Sequence, residues 1–184
     1  MAMKKDFGSA ASYLAAVVLL SGCASTGADD AKARPTAVAV LSPAANGPVK
    51  GQVTFQAEAQ GVRVTASLTG LTPGKHGFHI HEKGDCSAAD FTSAGGHWNP
   101  MSAEHGAPAS GADHHYGDFG NVEANEKGIV KFDRVFQWLS FTGTNSFVGR
   151  AVVVHGNPDD LTSQPAGNAG PRIACGVIAL AGAK

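Results

Sequence analysis

The segment His79-Ile80-His81 sets two imidazoles two positions apart. On a β-strand such residues share a face, so both rings reach one metal ion while Ile80 turns to the other side. His97, His105, His114, His115 and Asp118 follow, and His155 ends the apolar run Ala151-Val152-Val153-Val154. Imidazole nitrogen suits copper and zinc, and a carboxylate among imidazoles suits zinc better than copper. A nearly continuous histidine set with one aspartate can fill two metal sites. His76, directly before Gly77, reads as a ring bonded to backbone, since buried polar groups find partners. His114 and His115 are neighbours and point apart on an extended chain, which leaves one of them to solvent. Trp98 and Trp138 read as packing residues.

These side chains need a scaffold. At roughly 150 residues per domain, 184 residues make one domain. Hydrophobic residues at 43% and charged residues at 16% can build a core and exclude wholesale disorder. A net charge of −1 excludes a strongly basic nucleic-acid binder, so no nucleic-acid partner is expected. With 24 glycines and only 7% aromatics, a turn-rich β fold is favoured over a helical bundle. Val53, Phe55, Ala57 and Ala59 alternate with polar residues, as do Val62, Val64, Ala66 and Leu68. That period of two marks strands with one buried face, and Gln60-Gly61 between them reads as a hairpin turn. Further strands are expected at 37–41, 77–81, 121–123, 129–133, 149–155 and 174–180, with a turn at Glu126-Lys127-Gly128. No helical period and no repeat is visible. The fold class is therefore all-β, an eight-stranded antiparallel barrel or sandwich with two long functional loops, 82–120 and 156–173. Loops of this size need compensation for their ordering entropy, which metal ions and a disulfide supply.

The N-terminus reads as an export signal. Lys4 and Lys5 precede the small-to-apolar stretch 10–20, too short to span a membrane. The ending Leu20-Ser21-Gly22-Cys23 resembles the bacterial lipoprotein cleavage box, whose cysteine is lipidated; the alternative is a buried helix. The expected organisation is a signal peptide at 1–22, a lipidated terminus and flexible tether at 23–35, and one domain at 36–184. Ala24 stands where lipoproteins kept on the inner membrane often carry Asp, so the expected location is the periplasm, anchored to the outer membrane. With Cys23 carrying lipid, Cys86 and Cys175 pair in only one way in an oxidising compartment, or remain two buried thiols.

Several stretches together resemble the signature segments of copper/zinc superoxide dismutases. They are Gly77 to Cys86 (GFHIHEKGDC), Ser93 to Pro100 (SAGGHWNP), His115-Tyr116-Gly117-Asp118 with Gly120-Asn121, Val154-His155, and Gly167 to Ile178 (GNAGPRIACGVI). The likeness runs from about Thr36 to the end, in family order, and the early cysteine is similar to bacterial members. The resemblance implies a Greek-key barrel and an oxidoreductase that converts superoxide to oxygen and hydrogen peroxide. Copper would be held by His79, His81, His97 and His155, and zinc by His97, His105, His115 and Asp118, with His97 bridging. Asp159 would orient His79 and His105. Arg172 would draw the anion to copper, His97 would carry a proton, and a Cys86–Cys175 bridge would help to place Arg172. Copper would do the electron transfer, because zinc has no redox chemistry. The protein would protect the cell envelope, as a homodimer or a monomer. One departure stands out: the segment 156–171 is short and has no Lys or Glu, which leaves steering to Lys83 or another lysine, or weakens it. Activity that falls with salt is expected. The rival readings are copper and zinc storage or delivery, and a structural lipoprotein stapled by zinc.

Overall fold

In the computed structural model, which describes Met1 and residues 34–45, 47–108 and 113–182, eight strands follow the alternation of the sequence. They are β1 (Thr36–Pro43), β2 (Lys50–Glu58), β3 (Gly61–Thr69), β4 (Gly74–His81), β5 (Asp118–Ala124), β6 (Val130–Phe136), β7 (Ala151–His155) and β8 (Arg172–Leu180). All neighbours pair antiparallel, and the order β1-β2-β3-β6-β5-β4-β7-β8 closes into a barrel. Closure leaves no unpaired sheet edge. The strands β3 and β4 are consecutive in sequence yet lie apart, which is the Greek-key crossover that sends β4 between β5 and β7. The barrel belongs to the unit Lys32–Lys184. The export segment, Cys23 and the tether up to residue 33 lie outside the described residues.

Inside the barrel, Val53 and Phe55 of β2 meet Val64 and Leu68 of β3, Phe78 and Ile80 of β4, and Val152 and Val154 of β7, all fully buried. The β2–β3 loop is Ala59-Gln60, one residue earlier than the sequence suggests. Gly61 opens β3 at φ +123°, where a Cβ would come within 2.4 Å of the Phe136 carbonyl oxygen, so only glycine fits there.

Two departures from the sequence reading matter. Asp118 was expected in the loop and instead begins β5, opposite His79 of β4 across a register shift. The segment 137–150 is a third long connection, and it sends Leu139 and Phe147 into the core, where Phe147 stacks on Phe55 at 4.8 Å. Isolated apolar residues in an irregular segment carry no period, so alternation cannot reveal them. The described residues also contain a single turn of 3₁₀ helix, Thr92–Ala94, too short to leave a helical period.

Candidate metal centre

Alternation along β4 explains where the histidines go. Phe78 and Ile80 face the core, so His79 and His81 face outward. Yet both are buried, because the segments 82–117 and 156–171 cover this side. On β7 the same side carries Ala151 and Val153, and they form a second, smaller apolar cluster with Phe91, Ala94 and Cys175. The Cys86–Cys175 disulfide ties the covering segment to β8 across 89 residues of sequence. In the chain-entropy picture such a closure stabilises by about 4–5 kcal/mol.

Under this cover lie two four-residue groups. His79, His81, His97 and His155 form one, and His97, His105, His115 and Asp118 form the other. Within each group the donor atoms lie within 4.8 Å of one another, and every residue is buried. His97 belongs to both. Its isolated bridge to His81 sets it beside β4.

Hydrogen bonds on the far side of each ring determine which lone pair points inward. His79 Nε2 donates to Asp159 Oδ2 at 2.8 Å, which leaves Nδ1 buried without a partner. His81 Nδ1 donates to the Gly95 carbonyl at 2.9 Å, and His155 Nδ1 donates to the Gly170 carbonyl at 3.1 Å. Both then turn a bare Nε2 inward, and these two nitrogens sit 3.4 Å apart. Two lone pairs at that distance repel unless a cation lies between them. On the other side His105 Nε2 donates to Asp159 Oδ1 at 2.9 Å. Its Nδ1 lies 3.1 Å from Asp118 Oδ2 without hydrogen-bond geometry. His97 Nδ1 is 2.8 Å from Asp118 Oδ1, and His115 Nδ1 is 3.3 Å from the same oxygen. His97 Nε2, aimed toward the first group, has no partner. Converging, unpartnered, buried nitrogens are what a bound metal ion satisfies. Four imidazoles suit copper, and three imidazoles with a carboxylate suit zinc.

Charge separates the two groups further. Burial holds His79 down to about 3 and His155 to about 4, and it lowers His81 and His97 as well. These rings stay neutral at pH 7, as metal ligands must. His105 goes the other way, up to about 9: burial opposes the shift, but the adjacent Asp118 and Asp159 carboxylates outweigh it. Burial alone would raise both carboxylates, yet bonding to the histidines holds them well below the usual range. Two buried carboxylates thus demand positive charge in the second group.

Asp159 connects the groups by holding one histidine of each. Its own backbone is clamped by Asn121, whose amide oxygen accepts from the Asp159 N–H at 2.8 Å and whose Nδ2 donates to its carbonyl at 2.9 Å. Gly167, at φ +65°, packs so tightly that a Cβ would fall 1.9 Å from Asp159 Oδ1. Gln164 pairs with both backbone groups of His105, at 2.8 and 3.0 Å. Arg172 donates to the carbonyls of Phe91 and Gly95, the latter at 2.6 Å and shared with His81. Sequence reasoning assigns Asn121 and Gln164 no role, because an amide that clamps distant backbone leaves no local pattern.

A cavity of about 530 Å³ opens onto His81, His97, His155 and Arg172. Its rim comes from the segment 164–170, and among the described lining residues Arg172 is the single Lys, Arg, Asp or Glu. Lys83 does not line it. His76 is spent on the carbonyls of Thr72 and His155, both at 2.9 Å. His114 donates to the His115 carbonyl and leans edge-on to Trp138. The sequence model of the copper/zinc superoxide dismutase family matches residues 49–178, well over half of the chain.

Proposed function

Since the chain belongs to the copper/zinc superoxide dismutase family, we propose that its own histidines and Arg172 divide the work of superoxide dismutation between two metal sites at the cell envelope. The enzyme is an oxidoreductase with copper and zinc as cofactors, and superoxide is its substrate. His79, His81, His97 and His155 hold copper, and His97, His105, His115 and Asp118 hold zinc. When bound, copper would supply one-electron exchange with superoxide, and His105, His115 and Asp118 would hold zinc beside His97. The single observation that carries this division is His97, whose two ring nitrogens face different groups.

The remaining steps belong to the protein. The Arg172 guanidinium, held by two carbonyls, presents a permanent positive charge in the cavity beside His81 and His155. His97 Nε2 is placed to carry a proton toward the product, since its other nitrogen is engaged with the second group. Asp159 holds His79 and His105 in the tautomers that point lone pairs inward. Peroxide formation needs two protons, and solvent reaches the cavity to supply the second.

Stopped-flow superoxide decay with copper- and zinc-loaded protein, against a zinc-only control, tests this reading. Fast copper-dependent decay is the expected result. Full copper occupancy without decay would leave storage or delivery of the metals. For the envelope role, the sequence box at Cys23 is the support. Cys23→Ala should abolish incorporation of a labelled fatty acid and release the protein from the membrane fraction. A labelled or membrane-bound alanine variant would remove the anchor from the proposal. A homodimer remains part of the proposal, to be read from sedimentation of the intact protein.

A further inference from the structure

The chain has two tryptophans and two tyrosines, and Tyr13 falls in the export segment. The three that remain touch one another in turn, Trp98 to Tyr116 and Tyr116 to Trp138. Trp98 directly follows His97, so their Cα atoms are about 3.8 Å apart. Trp98 is buried, and its ring meets the edge of Tyr116 with centroids 5.4 Å apart. Trp138 Nε1 donates to the Tyr116 carbonyl at 3.0 Å, and the Trp138 ring is partly exposed. Tyr116 and Trp138 line a second surface cavity, together with Met101, which is exposed. Met101 is also the only methionine after residue 3. Packing alone does not require that the domain's most easily oxidised rings follow one another in contact from the neighbour of a metal ligand to the surface.

We infer that Trp98, Tyr116 and Trp138 form a relay that carries one-electron oxidising equivalents away from the metal centre to the surface. This rests on copper occupying the site around His97. The oxidant comes from the reaction's own product. One-electron reduction of hydrogen peroxide by reduced copper breaks the O–O bond, leaving hydroxide and an oxidant at the level of the hydroxyl radical. Beside the histidines that oxidant attacks a ligand ring. The relay gives it an electron instead. Trp98 loses the electron, Tyr116 refills Trp98, and Trp138 refills Tyr116. In the net reaction the oxidant gains one electron and one proton and becomes water. Trp138 loses one electron and its indole proton.

The surroundings give the relay a direction. The Arg150 guanidinium sits 4.5 Å over the Trp98 ring, and a cation on that face opposes a positive charge on the indole. Trp98 Nε1 is buried without a hydrogen-bond partner, so the oxidised ring has no route to shed its proton. The electron vacancy therefore does not rest on Trp98. It passes to rings nearer solvent, where external reductants can reach it.

The test uses the full protein loaded with copper and zinc, with occupancy read from the copper spectrum and dismutation measured first. Hydrogen peroxide is then added, and oxidised residues are mapped by peptide mass spectrometry, with radicals followed by electron paramagnetic resonance. In the wild type the expected modification falls on Trp138, depends on copper and spares His81 and His155. Tyr116→Phe keeps the ring and removes its easy oxidation. It should cut Trp138 modification several-fold, raise histidine oxidation and speed inactivation, with initial dismutation unchanged. Trp138→Phe should move the radical signal to Tyr116, an independent check should the first variant fold poorly. Met101 gauges direct attack, because peroxide oxidises an exposed thioether to sulfoxide and water without copper. Trp138 modification that is equal in zinc-only protein, or unaltered in Tyr116→Phe, would overturn the relay. Failure of dismutation or of copper binding would instead overturn the metal assignment on which it rests.

Discussion

The strands β2, β3 and β6 and the strands β4 and β7 line the same core, but they treat their outer faces in opposite ways. On β3, Arg63, Ser67 and Thr69 point to water, and Arg63 forms a two-pronged ion pair with Asp133 of β6, also exposed. On β4 and β7, His79, His81, Ala151, Val153 and His155 occupy the outer face and are all buried. The first face is finished once the strands pair. The second is covered by irregular chain whose apolar cluster is small: Phe91, Ala94, Ala151, Val153 and Cys175. What holds that cover is a disulfide, buried polar clamps and the metal-binding groups. Where hydrophobic burial is scarce, covalent and coordinate bonds take its place.

The comparison breaks most visibly at the site. His155→Ala removes one nitrogen from the copper group and none from the zinc group. Copper-dependent turnover should be abolished, while zinc content and the circular dichroism of the barrel stay close to wild type. Superoxide decay at the wild-type rate in a variant of measured metal content would sink the ligand assignment. A matched change on the plain side, Leu68→Ala, should leave turnover per folded molecule unaltered.

Stability should divide the two faces in another way. Cys175→Ser opens the 89-residue closure and should cost about 4–5 kcal/mol, and it should also lower activity by freeing the chain that carries Phe91 and Gly95, the acceptors for Arg172. Leu68→Ala, at a fully buried position on the inner face of β3, should cost about 2–5 kcal/mol through lost burial and a cavity, and it should do so without affecting metal content. Denaturant midpoints and bound metal, measured together, separate the cases. Metal loss in Leu68→Ala would show that the cover depends on the core as a whole.

These faces also differ in how plainly they can be read from the sequence. Alternation in Val53–Ala59 and Val62–Leu68 located β2 and β3, because a face in water and a face in oil impose a period of two. On β4 alternation fails, since His76 to His81 are buried on both sides. There the residue types carried the reading: imidazoles two apart, and a histidine at the end of a valine run. Family resemblance supplied the pairing of distant residues, such as Asp159 with His79 and His105. The clamps stayed hidden. Asn121, Gln164 and the Gly95 carbonyl act through backbone contacts set only when loops close, and Phe147 enters the core from a segment without any period.

Acid should find the covered face first once metals are removed by chelation. His79 and His155 are held down to about 3 and 4, against an ordinary value near 6.5. The folded protein keeps them neutral, while the unfolded chain takes up protons as pH falls below 6.5. Stability of the metal-free protein should therefore drop between pH 6.5 and about 4, by about 1.4 kcal/mol per pH unit for each ring. His105, raised to about 9, contributes stability that is complete below 6.5 and lost as pH rises through 9. Bound metals occupy the same lone pairs and should shift the acid limb lower. Thermal melts of metal-free and loaded protein from pH 4 to 9 check both limbs. A flat acid limb in the metal-free protein would mean that these rings are not shielded from water.

Salt should have the smallest effect, and it separates the mouth of the site from the charged outer strands. The cavity has Arg172 as its one fixed charge among the described lining residues, and the whole chain has a net charge of −1. A single cation at short range attracts superoxide, but the described lining residues include no lysine to extend the field. The Debye length is about 10 Å at 0.1 M and about 3 Å at 1 M, so added salt screens the approach more than the final contact. The rate should fall with ionic strength by a small factor, and Arg172→Gln should lower the rate and flatten the remaining slope. Stopped-flow decay across that range measures both. A steep decline that survives Arg172→Gln would assign steering to cations outside the cavity, with Lys83 the first to replace. A rate indifferent to salt in the wild type would mean that contact with Arg172, rather than a field reaching into solution, is all the attraction the site exerts.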